Sequence, residues 1–127
     1  MIDMVGTPLR IVVVDDSPLY RGVVCNMLEK HPNLQVVAEA GDGHAAVQAV
    51  EEHEPDVVLM DVSMPILNGI DATRIIKYKF PDVRVIILSM HDVESISEAA
   101  CKAGACWCLN KECSPKEIIE AIMTAGI

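Results

Sequence analysis

The sequence predicts an α/β domain of the doubly wound kind, with five parallel strands covered on both faces by helices. Three observations predict it. Short, near-continuous Val/Ile/Leu runs alternate with helix-length amphipathic segments along the whole chain. The connections between them are short and rich in Pro, Gly, Asp and Ser. Strand after strand ends abruptly on a polar residue, as in VVVDD at residues 12–16 and VVLMD at 57–61.

The elements follow in order. Arg10–Val14 is apolar on both faces and reads as a buried strand. Ser17-Pro18 opens a helix, with Ser as N-cap and Pro in the first turn, running to about Lys30 before His31-Pro32. Leu34–Ala40 is the second strand. Gly41-Asp42-Gly43 turns into a helix over about His44–His53. Asp56–Met60 is the third strand, followed by a loop through Gly69 and a helix over Ile70–Lys79, with Ile75 and Ile76 facing inward and Pro81 past its end. Val83–Leu88 is the fourth strand. His91-Asp92 leads into a helix that Gly104 closes after Ala103. Cys106–Leu109 is a short fifth strand, and Ser114-Pro115-Lys116-Glu117 is a capping box for a last helix to about Ala125. Right-handed crossovers leave few ways to order five such strands.

The 127 residues predict one domain (1–127) with its core over about 9–125. A chain of this length buries roughly two-thirds of its unfolded surface and folds without staples. The net charge of −9 argues against direct grip on nucleic acid phosphates or on an anionic membrane. The apolar runs are far shorter than the ~20 residues that span a bilayer. Met1–Thr7 has neither the basic nor the apolar region of a signal peptide, so a cytoplasmic location is expected. Five cysteines do not suit a complete disulfide framework, and reduced thiols are expected.

In a parallel sheet the strand C-termini share one edge, where ligands bind. Asp15, Asp16, Asp61, Ser89 and Lys111 all follow strands and are expected to converge there. Carboxylates ~5 Å apart repel by roughly 3 kcal/mol per pair at an effective dielectric of 20, so a pKa must rise or a cation must neutralise them. A hard divalent ion with oxygen ligands fits, Mg²⁺ or Mn²⁺. Lys111 would add a compact positive charge and Ser89 a hydroxyl. Together these groups suit phosphoryl transfer onto a carboxylate. Each taken alone has a blander role: an Asp after a strand is usually a cap or turn former, and a lysine there is usually solvated.

The joint pattern resembles the receiver domain of bacterial two-component response regulators. The similarity runs from about Leu9 to Ala125 and rests on VVVDDSP, VVLMDVSMPILNGID, VIILSMHD and LNKECSPKEI. It looks most like receivers of the LuxR-type (NarL-like) subfamily. The resemblance implies a flavodoxin/CheY-like (βα)5 fold with strand order 2-1-3-4-5. It implies that Asp61 accepts phosphate from a sensor histidine kinase. Asp16 would bind Mg²⁺ directly, Asp15 mainly through water, and Ser63 through its carbonyl. Ser89 would swing toward the phosphoryl group, Lys111 would pair with it, and Pro65 and Gly69 would shape the loop after Asp61. Phosphorylation would then change the surface of the fourth helix, fifth strand and fifth helix, where a partner or a second copy docks. Such receivers are signalling proteins that catalyse their own phosphorylation and dephosphorylation. DNA would be reached only through a helix-turn-helix output domain beyond this sequence, which ends where the last helix is expected to end.

Two departures stand out. The position usually held by a switch Tyr or Phe is Cys108, with the bulky ring one residue earlier at Trp107 and hence on the opposite strand face. The coupling of Ser89 to an aromatic ring is therefore expected to be absent or altered. Lys111 is followed by Glu112 where many receivers have Pro, so a trans bond is expected. Among alternatives, Cys101, Cys106, Cys108 and Cys113 raise a redox- or metal-responsive cysteine site, although their spacing lacks the usual zinc knuckles. His31, His44, His53 and His91 read as surface residues and caps. A haloacid-dehalogenase-type phosphatase needs an acid two residues after its nucleophile, where this chain has Ser63, and an FMN binder needs a Ser/Thr/Gly-rich first loop, which is absent. A phosphorylation-independent interaction module is the remaining alternative.

Overall fold

The computed structural model describes residues 7–62, 64, 67–90 and 93–126. The expectations for residues 1–6 and for Ser63, Pro65, His91 and Asp92 lie outside the described residues. Ten elements alternate: β1 (Leu9–Val14), α1 (Pro18–Glu29), β2 (Leu34–Ala40), α2 (Gly43–His53), β3 (Val57–Asp61), α3 (Gly69–Lys79), β4 (Arg84–Ser89), α4 (Val93–Ala103), β5 (Trp107–Asn110) and α5 (Pro115–Ala125). The strands pair in parallel in the order β2-β1-β3-β4-β5. This is the doubly wound fold expected from the alternating pattern. Strands three to five each begin and end one residue later than expected, so Asp61 and Ser89 are the last residues of their strands.

Side chains a short reach from the backbone set the helix starts. Ser17, Asp42 and Asn68 accept hydrogen bonds from the first-turn amides of α1, α2 and α3, and the Ser114–Glu117 capping box opens α5. Asn68 was not anticipated as a cap; its side chain accepts from the amides of Ile70 and Asp71 at 2.9 Å each. Gly104, at φ 107°, closes α4 with Gly104 N–H donating to Cys101 O and Ala105 N–H to Ala100 O.

Strand alternation divides the core in two. Ile11, Val13, Val57, Leu59, Ile86 and Leu88 face α1 and α5, packing on Val24, Leu28, Ile118 and Ile122. Val12, Val14, Val58, Met60, Val85 and Ile87 face α2, α3 and α4, packing on Ala46, Val50, Ala72, Ile76 and Ala100. Continuing this alternation past the strand ends places Asp15, Asp61 and Lys111 on the α1/α5 side and Ser89 on the other. The core therefore fixes the facing of each polar residue at the rim. Among the described residues, no helix is long and apolar enough to cross a membrane.

Candidate functional site

Asp15 and Asp61 are almost fully buried, 2% and 3% exposed, while Asp16 is exposed at the mouth. One ligand oxygen from each of the three lies within 4.8 Å of the others. Lys111 reaches into this cluster. Its Nζ lies 2.6 Å from Asp15 Oδ2 and 3.3 Å from Asp61 Oδ1, and 4.7 Å from the centre of the Tyr20 ring. The backbone helps to bring Lys111 there, because its N–H donates to Ser89 O at 2.9 Å. Ser89 is buried beyond Leu88, the register partner of Asp61. The structure thus brings Asp15, Asp16, Asp61 and Lys111 together and places Ser89 on the adjacent strand end. The Lys111–Glu112 bond is trans, as expected.

The electrostatics follow from this crowding. Burial and the neighbouring Asp15 carboxylate push the Asp61 pKa above its ordinary value, against the opposing pull of Lys111. Burial works against the charge of Lys111, but its hydrogen bond to Asp15 and the attraction of both carboxylates outweigh that and raise its pKa. Burial also raises the pKa of Tyr20, so its hydroxyl stays protonated and donates to Lys111 O at 3.4 Å. Tyr20 was missed in the sequence as a site residue; its position three residues after the Ser17 cap, one turn into α1, was the available signal.

The donor set fits a hard dication. Both Asp15 oxygens have partners, Ser17 N–H at 2.9 Å and Lys111, while Asp16 faces solvent. Around an octahedral Mg²⁺ opposite oxygens are about 4.2 Å apart, comparable with the spread of these carboxylate oxygens. The cysteines behave differently. Cys101, Cys106 and Cys108 line one groove between α4 and β5, yet among the described residues only the three aspartates meet the spacing for a shared ion.

Gly69 is a second constraint on Asp61. A Cβ there would lie 1.9 Å from the carbonyl oxygen of Asp61, so α3 can start so close under β3 only with glycine. Gly69→Ala is expected to lower stability by about 3 kcal/mol, read as a fall in the denaturant midpoint. Unchanged stability would mean that α3 can shift away at no cost.

Cys108 is half-buried against the α2/α3/α4 side, the same side as Ser89. Trp107 alternates to the other side with Leu109, is 44% exposed, and borders a groove with Glu117, Glu120 and Ala121. The ring therefore does not replace the side chain at 108.

This geometry coincides with a family match. The sequence matches the response regulator receiver domain over residues 11–123. The chain belongs to the response regulator receiver family. It is 44% identical over 114 residues to the transcriptional regulatory protein DegU of Brevibacillus brevis, covering 90% of this chain and 48% of that protein. It is 40% identical over 116 residues to protein-glutamate methylesterase/protein-glutamine glutaminase 1 of Rhodospirillum rubrum, covering 89% of this chain and 30% of that protein. A two-component response regulator of the LuxR family from Aurantimonas sp. SI85-9A1 superposes with a TM-score of 0.88 at 36% identity, covering 93% of this chain and 84% of that one. The receiver thus spans half or less of these two curated relatives, and its neighbours include LuxR-type receivers, the subfamily its motifs resemble.

Proposed function

We propose that this receiver accepts a phosphoryl group on Asp61 from the phosphohistidine of a sensor histidine kinase, with Mg²⁺ or Mn²⁺ bound at the acidic rim. The observation that carries the reading is Asp61 at the end of β3, held with Asp15 and Asp16 around one point and 3.3 Å from the Lys111 ammonium. An Asp61 oxygen attacks phosphorus, the bond from phosphorus to the donor imidazole nitrogen breaks, and that nitrogen takes up a proton. Lys111 pairs with the phosphoryl oxygens that gain charge, and Ser89 supplies a hydroxyl to the product. A dication held by Asp16 and Asp61, by Asp15 mainly through water, and by the Ser63 carbonyl would neutralise the converging negative charge. Before phosphate arrives, Lys111 occupies part of that role by bonding Asp15 and Asp61.

The phosphoryl group adds about two negative charges at the rim, and Ser89 and the β4–α4 connection would respond. The readout surface is α4, β5 and α5, which would take a partner or a second copy. Because a cysteine stands at 108, on the same side as Ser89, the switch would work without an aromatic ring at that position. The resemblance to DegU, a transcriptional regulatory protein, supports a transcriptional output; a separate DNA-binding domain would carry it, and the receiver would act in the cytoplasm.

Acetyl phosphate tests the reading. With Mg²⁺ the intact mass is expected to rise by one phosphate, and without a divalent ion the gain should be largely lost. No gain with Mg²⁺ would favour a phosphorylation-independent interaction module instead.

A further inference from the structure

Arg21 lies on α1, six residues past Asp15, and none of the roles above uses it. Its guanidinium makes two bonds in different directions. Nη1 donates to the backbone carbonyl of Asp15 at 2.6 Å, and Nε donates to Glu39 Oε1 on β2 at 3.0 Å. The Arg21 side chain is mostly covered, 21% exposed. Next to Glu39 lies Cys25, whose thiol burial and the Glu39 carboxylate keep protonated by pushing its pKa up to about 12.

The carbonyl that Arg21 grips belongs to the peptide joining Asp15 to Asp16. On its other side, Asp15 N–H donates to Ala40 O at 3.0 Å. The residue is thus tied to β2 twice, once directly and once through the Arg21–Glu39 pair. Only Asp15, Asp16 and Ser17 connect β1 to α1. Holding that one peptide therefore sets the direction in which both carboxylates leave the chain.

We propose that Arg21 is a positioning residue for the divalent-cation site, acting through the Asp15–Asp16 peptide and braced by Glu39. The role rests on the metal-binding reading above. Charge and position act in opposite senses here, which makes the sign of the effect informative. Arg21→Gln removes a positive charge near the cluster and leaves Glu39 unpaired, so a purely electrostatic role would make Mg²⁺ bind more tightly. A positioning role makes it bind more weakly, because neighbours that orient a ligand typically contribute 10- to 100-fold in metal affinity.

The experiment is calorimetric titration of the full chain with MgCl2, for wild type, Arg21→Gln and Arg21→Lys, beside amide hydrogen exchange of the metal-free proteins. Arg21→Gln is expected to weaken Mg²⁺ binding about tenfold. The Ser17 amide, which donates to Asp15 Oδ1 at 2.9 Å, should exchange faster, while the amide of Leu59 in the core stays protected. Arg21→Lys keeps the charge but lacks the two-pronged donor, and it too should bind Mg²⁺ more weakly; it carries the test if the Gln variant does not fold. Wild-type binding with equal or tighter binding by Arg21→Gln would overturn the positioning role alone. No Mg²⁺ binding by the wild type would overturn the metal reading and this role together.

Discussion

Asp61→Asn is expected to abolish phosphoryl uptake and, in the absence of metal, to make the protein more stable at neutral pH. The first effect removes the attacking oxygen. The second follows from the buried position of Asp61 beside Asp15 and Asp16. Burial and the Asp15 carboxylate raise its pKa in the folded protein, so the fold favours the protonated form. An unfolded carboxyl titrates near ~3.9, and the stabilising effect of that bound proton is full below this value. It is lost as pH rises through the raised folded value, where a repelled carboxylate replaces the acid. Asparagine has the same shape and never takes that charge. The variant should therefore match the wild type below about pH 4 and exceed it at pH 7, by on the order of 4 °C in Tm, which corresponds to about 1 kcal/mol at this size. Adding Mg²⁺ should narrow the gap by stabilising the wild type. A variant less stable than the wild type at pH 7 would show that the Asp61 carboxylate is not under electrostatic stress.

Lys111→Met is expected to act in the opposite direction on stability. Methionine keeps much of the stem and removes the ammonium that bonds Asp15 at 2.6 Å and Asp61 at 3.3 Å. Two buried carboxylates then face each other without their counter-charge, and breaking a buried pair from one side costs about 3 kcal/mol. The more negative cluster should bind Mg²⁺ more tightly, so the ion should rescue this variant more than it stabilises the wild type. Phosphoryl uptake at saturating Mg²⁺ should still fall on the order of 100-fold, the typical effect of losing one donor to the transition-state charge. Lys111 has a raised pKa in the fold, so its contribution is full below its ordinary value of about 10.4 and is lost as pH rises through the raised one. The wild type should therefore lose its advantage only in strongly alkaline solution. Chemical denaturation across pH reads both effects, and a metal-free Lys111→Met as stable as the wild type would contradict the role of this pair.

Much of this was legible in the sequence because strand alternation is a rigid rule. Once Ile11, Val13, Val57 and Leu59 are inward-facing, Asp15 and Asp61 must leave the sheet on the same side. The same rule separates Trp107 from Cys108: Cys108 packs on the α2/α3/α4 side, while Trp107, on the rim of the sheet, borders the grooves on both sides of β5. Less legible were contacts made by long side chains across elements. Arg21 belongs to none of the sequence motifs, and only the packing of α1 against β2 reveals that it grips the Asp15 carbonyl and Glu39. Tyr20 carries no motif of its own, and its contact with Lys111 spans a separation of 91 residues. The strand ends were displaced by one residue because parallel pairing continues past the apolar run: Asp61 still pairs with Leu88 and Ser89 with Asn110.

The most direct measurement is to locate the phosphoryl group. The protein is incubated with acetyl phosphate and Mg²⁺, reduced with borohydride, which converts an aspartyl phosphate to homoserine, and sequenced by peptide mass spectrometry. Homoserine at position 61, with Asp15 and Asp16 intact, is the expected result. Homoserine at 15 or 16, or at no aspartate, would contradict the assignment of Asp61 as the acceptor.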